Sequence, residues 1–267
     1  MAERYAVIGN PVAHSRSPWI HAEFARATGE DIEYGRIEAP LEGFARTVDD
    51  FRAAGGRGAN VTLPFKEQAF DYCSSAVSAR ASEARAVNTL IFDAGRVRGD
   101  NTDGAGLLRD LTVNLGRALA GQRILLMGAG GAAQGVIGPL LAAKPARLAI
   151  ANRTAARALA LAKRFPGAAG GGYEDFQKEQ FDLLINATSA GLSGEAPPLP
   201  RSAFAPGALA YDMVYGRDTP FLQLARACNA QAHDGAGMLV EQAAESFFLW
   251  RGVRPGTAAV LAELRKR

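Results

Sequence analysis

A short apolar run that leads directly into a cluster of glycines constrains the fold of this chain more than any other stretch. Residues 124–127 have the continuous apolar character of a strand buried on both faces, and residues 132–142 predict a helix. Gly128 permits a sharp turn, Gly130 lets a pyrophosphate approach the backbone, and the helix N-terminus offers unpaired N–H groups. Ala133 stands where a third glycine is usual. An ordinary loop can also be glycine-rich, but strand, turn and helix in this order favour a dinucleotide site.

The bulk composition is that of a globular chain with a real core. The 267 residues are 48% hydrophobic and 21% charged, enough for one large or two modest domains. The net charge is +3 and the only basic run is residues 265–267, which argues against a nucleic-acid partner and fits a small anionic ligand. Cys73 and Cys228 lie far apart, so we expect neither a disulfide framework nor a metal site. We also expect the protein to be located in the cytoplasm, which is a reducing compartment. The chain shows no signal-peptide pattern and no apolar run long enough to span a bilayer.

The first hundred residues alternate between strand and helix patterns. Strands are predicted at 4–8, 32–37 and 58–63, and helices at 19–28 and 41–54, which implies a parallel sheet. Ser17 and Pro18 are predicted as the N-cap and first residue of the first helix. A short helix at 78–84, a hairpin with its turn at Asp93-Ala94-Gly95, a polar turn at 99–104 and a linking helix at 107–115 follow.

A second strand–helix series begins at Arg123. Strands are predicted at 124–127, 147–151, 181–186 and 208–213, with helices between them and at 220–229. The glycine-rich residues 167–172 are interpreted as a linker, and two further helices are expected at 238–250 and 257–266. Two such series suggest two α/β domains with a cleft between them.

The end of the second strand of this series bears on the choice of nucleotide. It reads Asn152-Arg153-Thr154 and carries no acid that would hydrogen-bond the ribose hydroxyls of NAD. Arg153 is placed to pair with a 2′-phosphate, and Arg157 lies one helical turn further on. A solvated surface arginine is the alternative, but the glycine turn upstream favours NADP over NAD.

Four polar stretches are candidates for a substrate site. Ser15-Arg16-Ser17 can hold a carboxylate or can simply cap a helix, and residues 60–66 follow a strand where α/β proteins place ligands, although a lone lysine is usually solvated. Residues 101–104 form either part of a site or a turn with an N-cap aspartate. Residues 186–191 form either a wall of the nicotinamide pocket or the start of a helix.

Nine motifs in order make the chain similar to the shikimate dehydrogenase family, nearly from end to end. They are Gly9-Asn10-Pro11 with His14-Ser15-x-Ser17-Pro18, Asn60-Val61-Thr62-x-Pro64-x-Lys66, Ala86-Val87-Asn88-Thr89, Gly99-x-Asn101-Thr102-Asp103-Gly104, Gly128-x-Gly130-Gly131-Ala132, Asn152-Arg153-Thr154, Asn186-Ala187-Thr188-Ser189, Tyr211-Asp212-Met213-Val214-Tyr215 and Gly237-Met238-Leu239-Val240-x-Gln242-Ala243. Each motif is modest alone, but their common order is highly specific. One mild departure is Ala236, where a bulkier residue is expected.

The resemblance implies reversible NADPH-dependent reduction of 3-dehydroshikimate to shikimate, a step toward chorismate and the aromatic amino acids. By this resemblance, Lys66 and Asp103 are the catalytic pair. The implied substrate-binding residues are Ser15, Ser17 and Tyr215 for the carboxylate, and Asn60, Thr62, Asn88, Asp103 and Gln242 for the ring hydroxyls. The implied NADP-binding residues are Gly128, Ala129, Gly130, Gly131, Ala132, Asn152, Arg153, Thr154 and Arg157, with Thr188, Met213 and Gly237 near the nicotinamide.

The resemblance also implies a discontinuous domain arrangement. A substrate domain is expected from residues 1–103 plus 237–267, with a Rossmann-like NADP domain at 104–236 inserted in it and a cleft between the two that closes on binding. The implied chemistry needs no metal. A lysine ammonium stabilises the developing charge on the carbonyl oxygen and donates a proton to it, and neutral lysine takes the alcohol proton in reverse. We therefore expect shikimate oxidation to become faster toward alkaline pH.

Three alternatives remain open at this stage. A quinate/shikimate dehydrogenase with relaxed substrate or cofactor choice is the nearest, and Arg153 argues against its NAD-dependent form. An NADP dehydrogenase of the folate methylene type is disfavoured by the paired serines and by the spacing from Asn60 to Lys66. A non-catalytic NADP sensor is disfavoured because both Lys66 and Asp103 are present. The expected partner is a small molecule, and the chain is expected to be a monomer or a homodimer.

Overall fold

The structure, a computed structural model, describes residues 2–73, 76–93, 95–188 and 195–267. The chain divides into two compact units. Unit 1 comprises residues 1–106 and 239–267, and unit 2 comprises residues 107–238. The first unit is therefore discontinuous in sequence.

Unit 1 contains a five-stranded mixed sheet. Its strands are β1 (Glu3–Gly9), β2 (Ile32–Glu38), β3 (Gly56–Val61), β4 (Thr89–Asp93) and β5 (Arg96–Asp100), in the spatial order β2-β1-β3-β4-β5. The first three are parallel, as the alternation of strands and helices predicts. The predicted hairpin is also confirmed: β4 and β5 are antiparallel, and Gly95 has a φ of +83° in the turn, of which Ala94 lies outside the described residues.

The helices that begin in unit 1 pack aromatic side chains into its core. They are α1 (Ser17–Thr28), α2 (Phe44–Ala53), α3 (Lys66–Cys73), α4 (Ala79–Ala84), α5 (Asp103–Arg109) and α10 (Ala258–Leu264), and α9 (Ala236–Arg251) also ends there. Phe44, Val48 and Phe51 form the buried stripe of α2. The Phe44 ring stacks on Phe65 with 5.1 Å between centroids. Burying each such ring contributes roughly 1.5–3 kcal/mol, which holds the helix layer on the sheet.

Unit 2 contains a six-stranded parallel sheet. Its strands are β6 (Arg123–Met127), β7 (Arg147–Ala151), β8 (Ala168–Gly171), β9 (Phe181–Asn186), β10 (Phe204–Asp212) and β11 (Gln231–His233), in the spatial order β11-β10-β9-β6-β7-β8. Its other helices are α6 (Gly131–Ala142), α7 (Ala155–Arg164) and α8 (Pro220–Ala227), with a π-helical turn at Asp110–Asn114. This is the strand order of doubly wound dinucleotide-binding domains, and the order reverses between β6 and β9.

The linker prediction for residues 167–172 is wrong, because Ala168–Gly171 is strand β8. The strand pairs in parallel with β7, so that Leu148 lies opposite Ala168 and Ala151 opposite Gly171. A Cβ at Gly170 would clash with the backbone carbonyl of Ala158 in α7. The glycine therefore permits close packing of helix on strand, a use of glycine that resembles loop composition in the sequence.

The start of α1 also differs from the prediction. Arg16, not Ser17, is the N-cap, and Ser17 is already helical. The Oγ of Ser15 accepts the Ser17 N–H at 3.3 Å, so the upstream serine satisfies this free N–H. The capping function assigned to Ser17 thus belongs to Ser15.

Two more helices begin at other residues than the sequence predicts. Helix α2 begins at Phe44 and not at residue 41, because a turn closed by the Gly43 N–H and the Pro40 carbonyl at 2.9 Å precedes it. The predicted polar turn at 99–104 is the end of β5 and the start of α5, whose first residue is Asp103. The Asp103 N–H donates to Asn101 Oδ1 at 3.1 Å, which starts the helix four residues before the expected position.

Helix α3 and strand β11 had no sequence prediction at all. Cys73, at the end of α3, is buried, and burial raises the pKa of its thiol to about 12.

Over the described ranges, no helix is both long and apolar enough to cross a membrane. No cluster of histidine, cysteine, aspartate or glutamate suited to a metal occurs among these residues either.

Candidate active site

A lysine–aspartate pair forms the centre of a polar cluster in unit 1. Lys66 is the first residue of α3, Asp103 is the first residue of α5, and Lys66 Nζ lies 2.5 Å from Asp103 Oδ2. The two side chains are 14% and 6% exposed. A charge-assisted hydrogen bond at this distance holds the ammonium in one place and leaves it two further N–H donors for a ligand.

Asn88 holds the second oxygen of the Asp103 carboxylate. Its Nδ2 donates to Asp103 Oδ1 at 2.8 Å, and its Oδ1 accepts the Thr102 N–H at 2.8 Å. A backbone N–H can only donate and an ionised carboxylate can only accept, so the orientation of the Asn88 amide is determined. Both oxygens of Asp103 are therefore engaged, which fixes the plane of the carboxylate beside Lys66.

Three further residues from the sequence prediction lie in unit 1. Asn60, at the end of β3, is buried and donates to the Asn88 backbone carbonyl at 3.2 Å. Gln242, on α9, donates from Nε2 to the Leu239 carbonyl at 2.8 Å, and its Oε1 lies 3.4 Å from Asn88 Nδ2. Thr62 is half-buried just after β3, where its N–H donates to the Ile8 carbonyl at 2.9 Å. The structure thus joins Asn60, Lys66, Asn88, Asp103 and Gln242 in one hydrogen-bond network.

The two serines at the start of α1 form a second polar group. Both are buried, and Ser15 Oγ lies 3.2 Å from Ser17 Oγ. The Arg36 guanidinium donates to the Ser15 backbone carbonyl at 2.6 and 3.0 Å, which holds the loop in place. Paired hydroxyls beside a helix N-terminus can hold a carboxylate.

Sequence reasoning missed several residues that support this cluster. Asp100 accepts hydrogen bonds from Ser78 at 2.5 Å and from Arg80 at 2.6 Å. Burial alone would raise the pKa of Asp100, but Arg80, Ser78 and the Asn101 N–H lower it overall. Arg80 also pairs with Glu245 of α9 at 3.0 Å. No local pattern could have identified this clamp, because its members are far apart in the chain.

Glycines shape the turn of unit 2 that the sequence predicts to bind a nucleotide. Gly128 has a φ of +111°, and a Cβ there would lie 3.0 Å from the Ala187 carbonyl oxygen. Gly130 is the N-cap of α6, and a Cβ added to it would meet no atom within 4 Å. Ala129 occupies the turn, and Gly131 and Ala132 begin the helix. The turn lies at the carboxyl end of β6, beside the point where the strand order reverses, and its open face suits a pyrophosphate.

The end of β7 carries the predicted phosphate-binding arginine. The Asn152 N–H donates to the Gly171 carbonyl at 3.1 Å, and Asn152 Nδ2 donates to the Thr154 carbonyl at 2.9 Å. Thr154 is the N-cap of α7. Arg153 and Arg157 are exposed, and neither forms an ion pair with any residue that the structure describes. Available guanidinium groups at this position suit a 2′-phosphate.

The ends of β9 and β10 meet at a shared hydrogen-bond network. Asn186 Oδ1 accepts from Thr188 Oγ1 at 2.7 Å, and the Asn186 carbonyl accepts the Met213 N–H at 2.9 Å. Asn186 Nδ2 donates to Asp212 Oδ2 at 3.2 Å. Burial raises the pKa of Asp212, although Thr219, Val214 and Asn186 donate to its carboxylate and oppose this increase. Residues 189–191 of the predicted nicotinamide wall lie outside the described residues.

Two predicted site residues have other surroundings. Gly237 lies in the first turn of α9, where a Cβ would clash with the carboxylate of Asp110. That carboxylate accepts the Tyr211 hydroxyl at 2.6 Å, so glycine at 237 has a packing reason of its own. Tyr215 is half-buried after β10 in unit 2, whereas the other predicted substrate-binding residues lie in unit 1.

This chain is similar to known proteins along nearly its whole length. Residues 7–90 match the family described as the shikimate dehydrogenase substrate binding domain, residues 110–193 match shikimate / quinate 5-dehydrogenase, and residues 235–265 match the shikimate 5'-dehydrogenase C-terminal domain. The shikimate dehydrogenase (NADP(+)) of Dechloromonas aromatica (strain RCB) is 59% identical over 272 residues, covering 100% of this chain and 99% of the relative. That of Nitrosospira multiformis is 58% identical, covering 99% and 98%.

Solved structures agree with these relatives. The shikimate 5-dehydrogenase of Thermus thermophilus, solved in complex with NADP(H) and shikimate, is 37% identical with a TM-score of 0.89, and 99% of each chain is covered. Sequence identity of more than half over the full length, together with the same fold, assigns the chain to one protein family. The chain belongs to the shikimate dehydrogenase family.

Proposed function

We propose that this protein catalyses the reversible, NADPH-dependent reduction of 3-dehydroshikimate to shikimate, a step of aromatic amino-acid biosynthesis. The observation that carries the proposal is the buried Lys66–Asp103 pair, whose carboxylate is held on both oxygens and whose ammonium retains free donors. The shikimate dehydrogenases named above are NADP(+) enzymes and support the choice of substrate and cofactor.

The residues of unit 2 fit NADP. Gly128, Ala129, Gly130, Gly131 and Ala132 would face the pyrophosphate, since the turn is open and the N–H groups at the start of α6 lack side-chain caps. NADPH, when bound, supplies the hydride that reduces the keto carbon. The remaining residues proposed to hold it are Asn152, Arg153, Thr154 and Arg157 at the adenosine end, and Thr188, Met213 and Gly237 at the nicotinamide end.

Lys66 is the proposed general acid. As negative charge develops on the carbonyl oxygen, the ammonium stabilises that oxygen and donates a proton to it. In the reverse direction, neutral lysine accepts the proton of the shikimate hydroxyl. Asp103 holds Lys66 in place through its 2.5 Å contact and can accept a hydrogen bond from a neighbouring substrate hydroxyl. Both residues act at the reacting end of the substrate.

The other polar residues of unit 1 are proposed to bind the rest of the substrate. Ser15 and Ser17, 3.2 Å apart, would take the carboxylate, and Tyr215 is also proposed to bind it. The residues proposed to bind ring hydroxyls are Asn60, Thr62, Asn88 and Gln242. We accordingly propose that residues 1–103 with 237–267 form the substrate domain and that residues 104–236 form the NADP domain. The enzyme is proposed to act as a monomer or a homodimer.

A spectrophotometric assay tests the proposal directly. Purified protein is mixed with shikimate and NADP+, and NADPH formation is followed at several pH values, then with NAD+ in place of NADP+. We expect turnover that becomes faster toward alkaline pH, with kcat/KM at least about tenfold higher for NADP+ than for NAD+. Absence of shikimate-dependent NADPH formation would reject the proposal.

The second candidate is a quinate/shikimate dehydrogenase with relaxed substrate or cofactor choice. One matching family model is described as shikimate / quinate 5-dehydrogenase, which makes quinate the substrate to exclude. The same assay with quinate decides between the two. A kcat/KM for quinate similar to that for shikimate would favour the second candidate.

A further inference from the structure

The side-chain amide of Asn60 is held at both of its ends. Its Oδ1 accepts the Tyr34 hydroxyl at 2.7 Å. Its Nδ2 lies within hydrogen-bond distance of three acceptors: Ser246 Oγ at 2.9 Å, the Asn88 carbonyl at 3.2 Å and Thr89 Oγ1 at 3.3 Å. Neither Tyr34 nor Ser246 belongs to the motifs that identify the family.

These neighbours leave only one orientation for the amide. The backbone carbonyl of Asn88 can only accept a hydrogen bond, so the NH2 group of Asn60 must face it. Both amide hydrogens are then used inside the protein. The capacity that remains for a ligand is the second lone pair of Oδ1, which makes Asn60 a hydrogen-bond acceptor toward substrate.

Ser246 is well placed to maintain this orientation. It is fully buried on α9, and its hydroxyl donates to the Gln242 carbonyl one turn earlier at 3.0 Å. It also shares a hydrogen bond with the Thr89 hydroxyl at 2.8 Å, in which either oxygen can be the donor. Toward the NH2 group of Asn60 the Ser246 oxygen can only accept, which supports this orientation of the amide.

Tyr34 performs the matching role at the carbonyl end. Its ring stacks on His21, with 4.2 Å between centroids and 5° between the planes. Burial raises the pKa of Tyr34 well above its usual value, and a hydrogen bond from Ser17 opposes this change. The hydroxyl therefore stays protonated at working pH and remains a donor to Asn60 Oδ1.

We propose that Tyr34 and Ser246 are positioning residues that keep the Asn60 carbonyl oxygen available to a ring hydroxyl of the substrate. A ketone can only accept hydrogen bonds, whereas a hydroxyl can donate one. The fixed Asn60 acceptor favours a hydroxyl and disfavours the ketone at its position, whereas the Lys66 ammonium, which can only donate, can bind the oxygen of either group. The site distinguishes the reacting ketone from the other ring substituents in this way. This inference rests on the function proposed above.

The first test measures steady-state kinetics of Ser246→Ala and Tyr34→Phe with shikimate and NADP+. Each variant removes one hydroxyl and no other atom of the network. We expect the KM for shikimate to increase about 3- to 10-fold for each, the effect of one lost hydrogen bond, with a smaller change in kcat and no change in the KM for NADP+. The matched controls are Ser82→Ala, at an exposed position of α4, and Tyr72→Phe, whose hydroxyl contacts Asp49 on α2.

The second test asks whether the two residues act through Asn60. Both substitutions are repeated in an Asn60→Ala background. If Ser246 and Tyr34 only position the amide, neither should raise the KM for shikimate further once Asn60 is absent. A general loss of packing would instead lower the melting temperature and raise KM equally in both backgrounds.

The outcomes separate this inference from the proposed function. If the wild type turns over shikimate but both variants keep its KM within about twofold, the positioning role is wrong and the proposed function stands. The same conclusion follows if the effects are fully additive with Asn60→Ala. If the wild type does not oxidise shikimate with NADP+, the proposed function itself fails. A Ser246→Thr variant, which keeps the hydroxyl, should restore a KM closer to the wild type than that of Ser246→Ala.

Discussion

The ligand-binding groups proposed for the two units are of different kinds. Unit 2 uses backbone: Gly128 and Gly130, followed by the first N–H groups of α6, all lie within a few consecutive residues. Unit 1 uses side chains from β3, α3, α5 and α9, and Asn60 meets Ser246 across 186 positions of sequence. A phosphate needs only N–H groups and space, whereas the polar groups of a substituted ring need donors and acceptors in specified directions.

This difference predicts how each region fails. A backbone site is damaged by adding atoms, because every residue type except proline carries the same N–H. A side-chain site is damaged by removing or turning one group, because its partners then remain buried without a hydrogen bond.

The largest effect is expected for Lys66→Ala. Loss of the general acid should lower kcat by about 10²–10⁴-fold, with a much smaller change in the KM for shikimate. Stopped-flow and steady-state assays measure both, and Lys163→Ala, at an exposed position of α7, is the control. A variant with normal kcat would exclude the catalytic role and would make the side-chain region only a binding surface.

Arg153→Ala tests a part of the proposed unit 2 site that depends on a side chain. Removing a charge-assisted contact to the 2′-phosphate should lower the ratio of kcat/KM for NADP+ to that for NAD+ by roughly 10- to 100-fold. Arg157→Ala should have a weaker effect in the same direction, and Arg46→Ala, exposed on α2, should have none. An unchanged cofactor ratio would contradict the assignment.

Gly130→Ala tests the backbone part. No atom lies within 4 Å of the added methyl group, so the melting temperature should stay at the wild-type value, while the KM for NADP+ increases roughly tenfold. Gly256→Ala, which also adds a methyl group to open space, is the control. Gly170→Ala should instead lower the melting temperature, because the added methyl group clashes with Ala158. If Gly130→Ala binds NADP+ normally, the turn does not contact the pyrophosphate.

A separate prediction concerns the stability of unit 1 against pH. His21 is fully buried beneath Tyr34, its ring nitrogens lack hydrogen-bond partners among the described residues, and burial lowers its pKa from 6.5 to about 3, with Asn60 opposing the decrease. Between these values the unfolded chain binds a proton that the folded chain does not. Stability should therefore fall as pH decreases below 6.5, by up to about 1.4 kcal/mol per pH unit.

His21→Leu should remove this dependence, whereas His14→Gln, at an exposed position, should retain it. The measurement is the free energy of unfolding between pH 6.5 and about pH 4, followed by tryptophan fluorescence. Both tryptophans, Trp19 and Trp250, belong to unit 1, so the signal reports on that unit. Equal pH slopes in the wild type and His21→Leu would exclude the histidine as the titrating group.

Features that depend on neighbouring residues could be predicted from the sequence, and features that depend on distant residues could not. The strands at 147–151 and 181–186 were predicted with their observed bounds, because buried parallel strands have continuous apolar runs. Strand β8 was predicted as a linker because of its glycines. Gly170 is needed because a larger residue there would clash with Ala158 of α7, and no local pattern indicates this contact. The start of α5 was missed because Asn101 caps it through a side chain inside an apparently polar turn.

Residue types at short spacings were enough to predict the two α/β series, the family and the candidate catalytic and nucleotide-binding residues. The direction in which each buried amide points, and the residues that hold it, follow from the packing of distant segments. Tyr34, Ser246 and Arg80 illustrate this, since each acts on a partner that is distant in the chain. A hydrogen bond depends on direction as well as proximity, and direction is fixed only when strands and helices from separate parts of the chain are packed together.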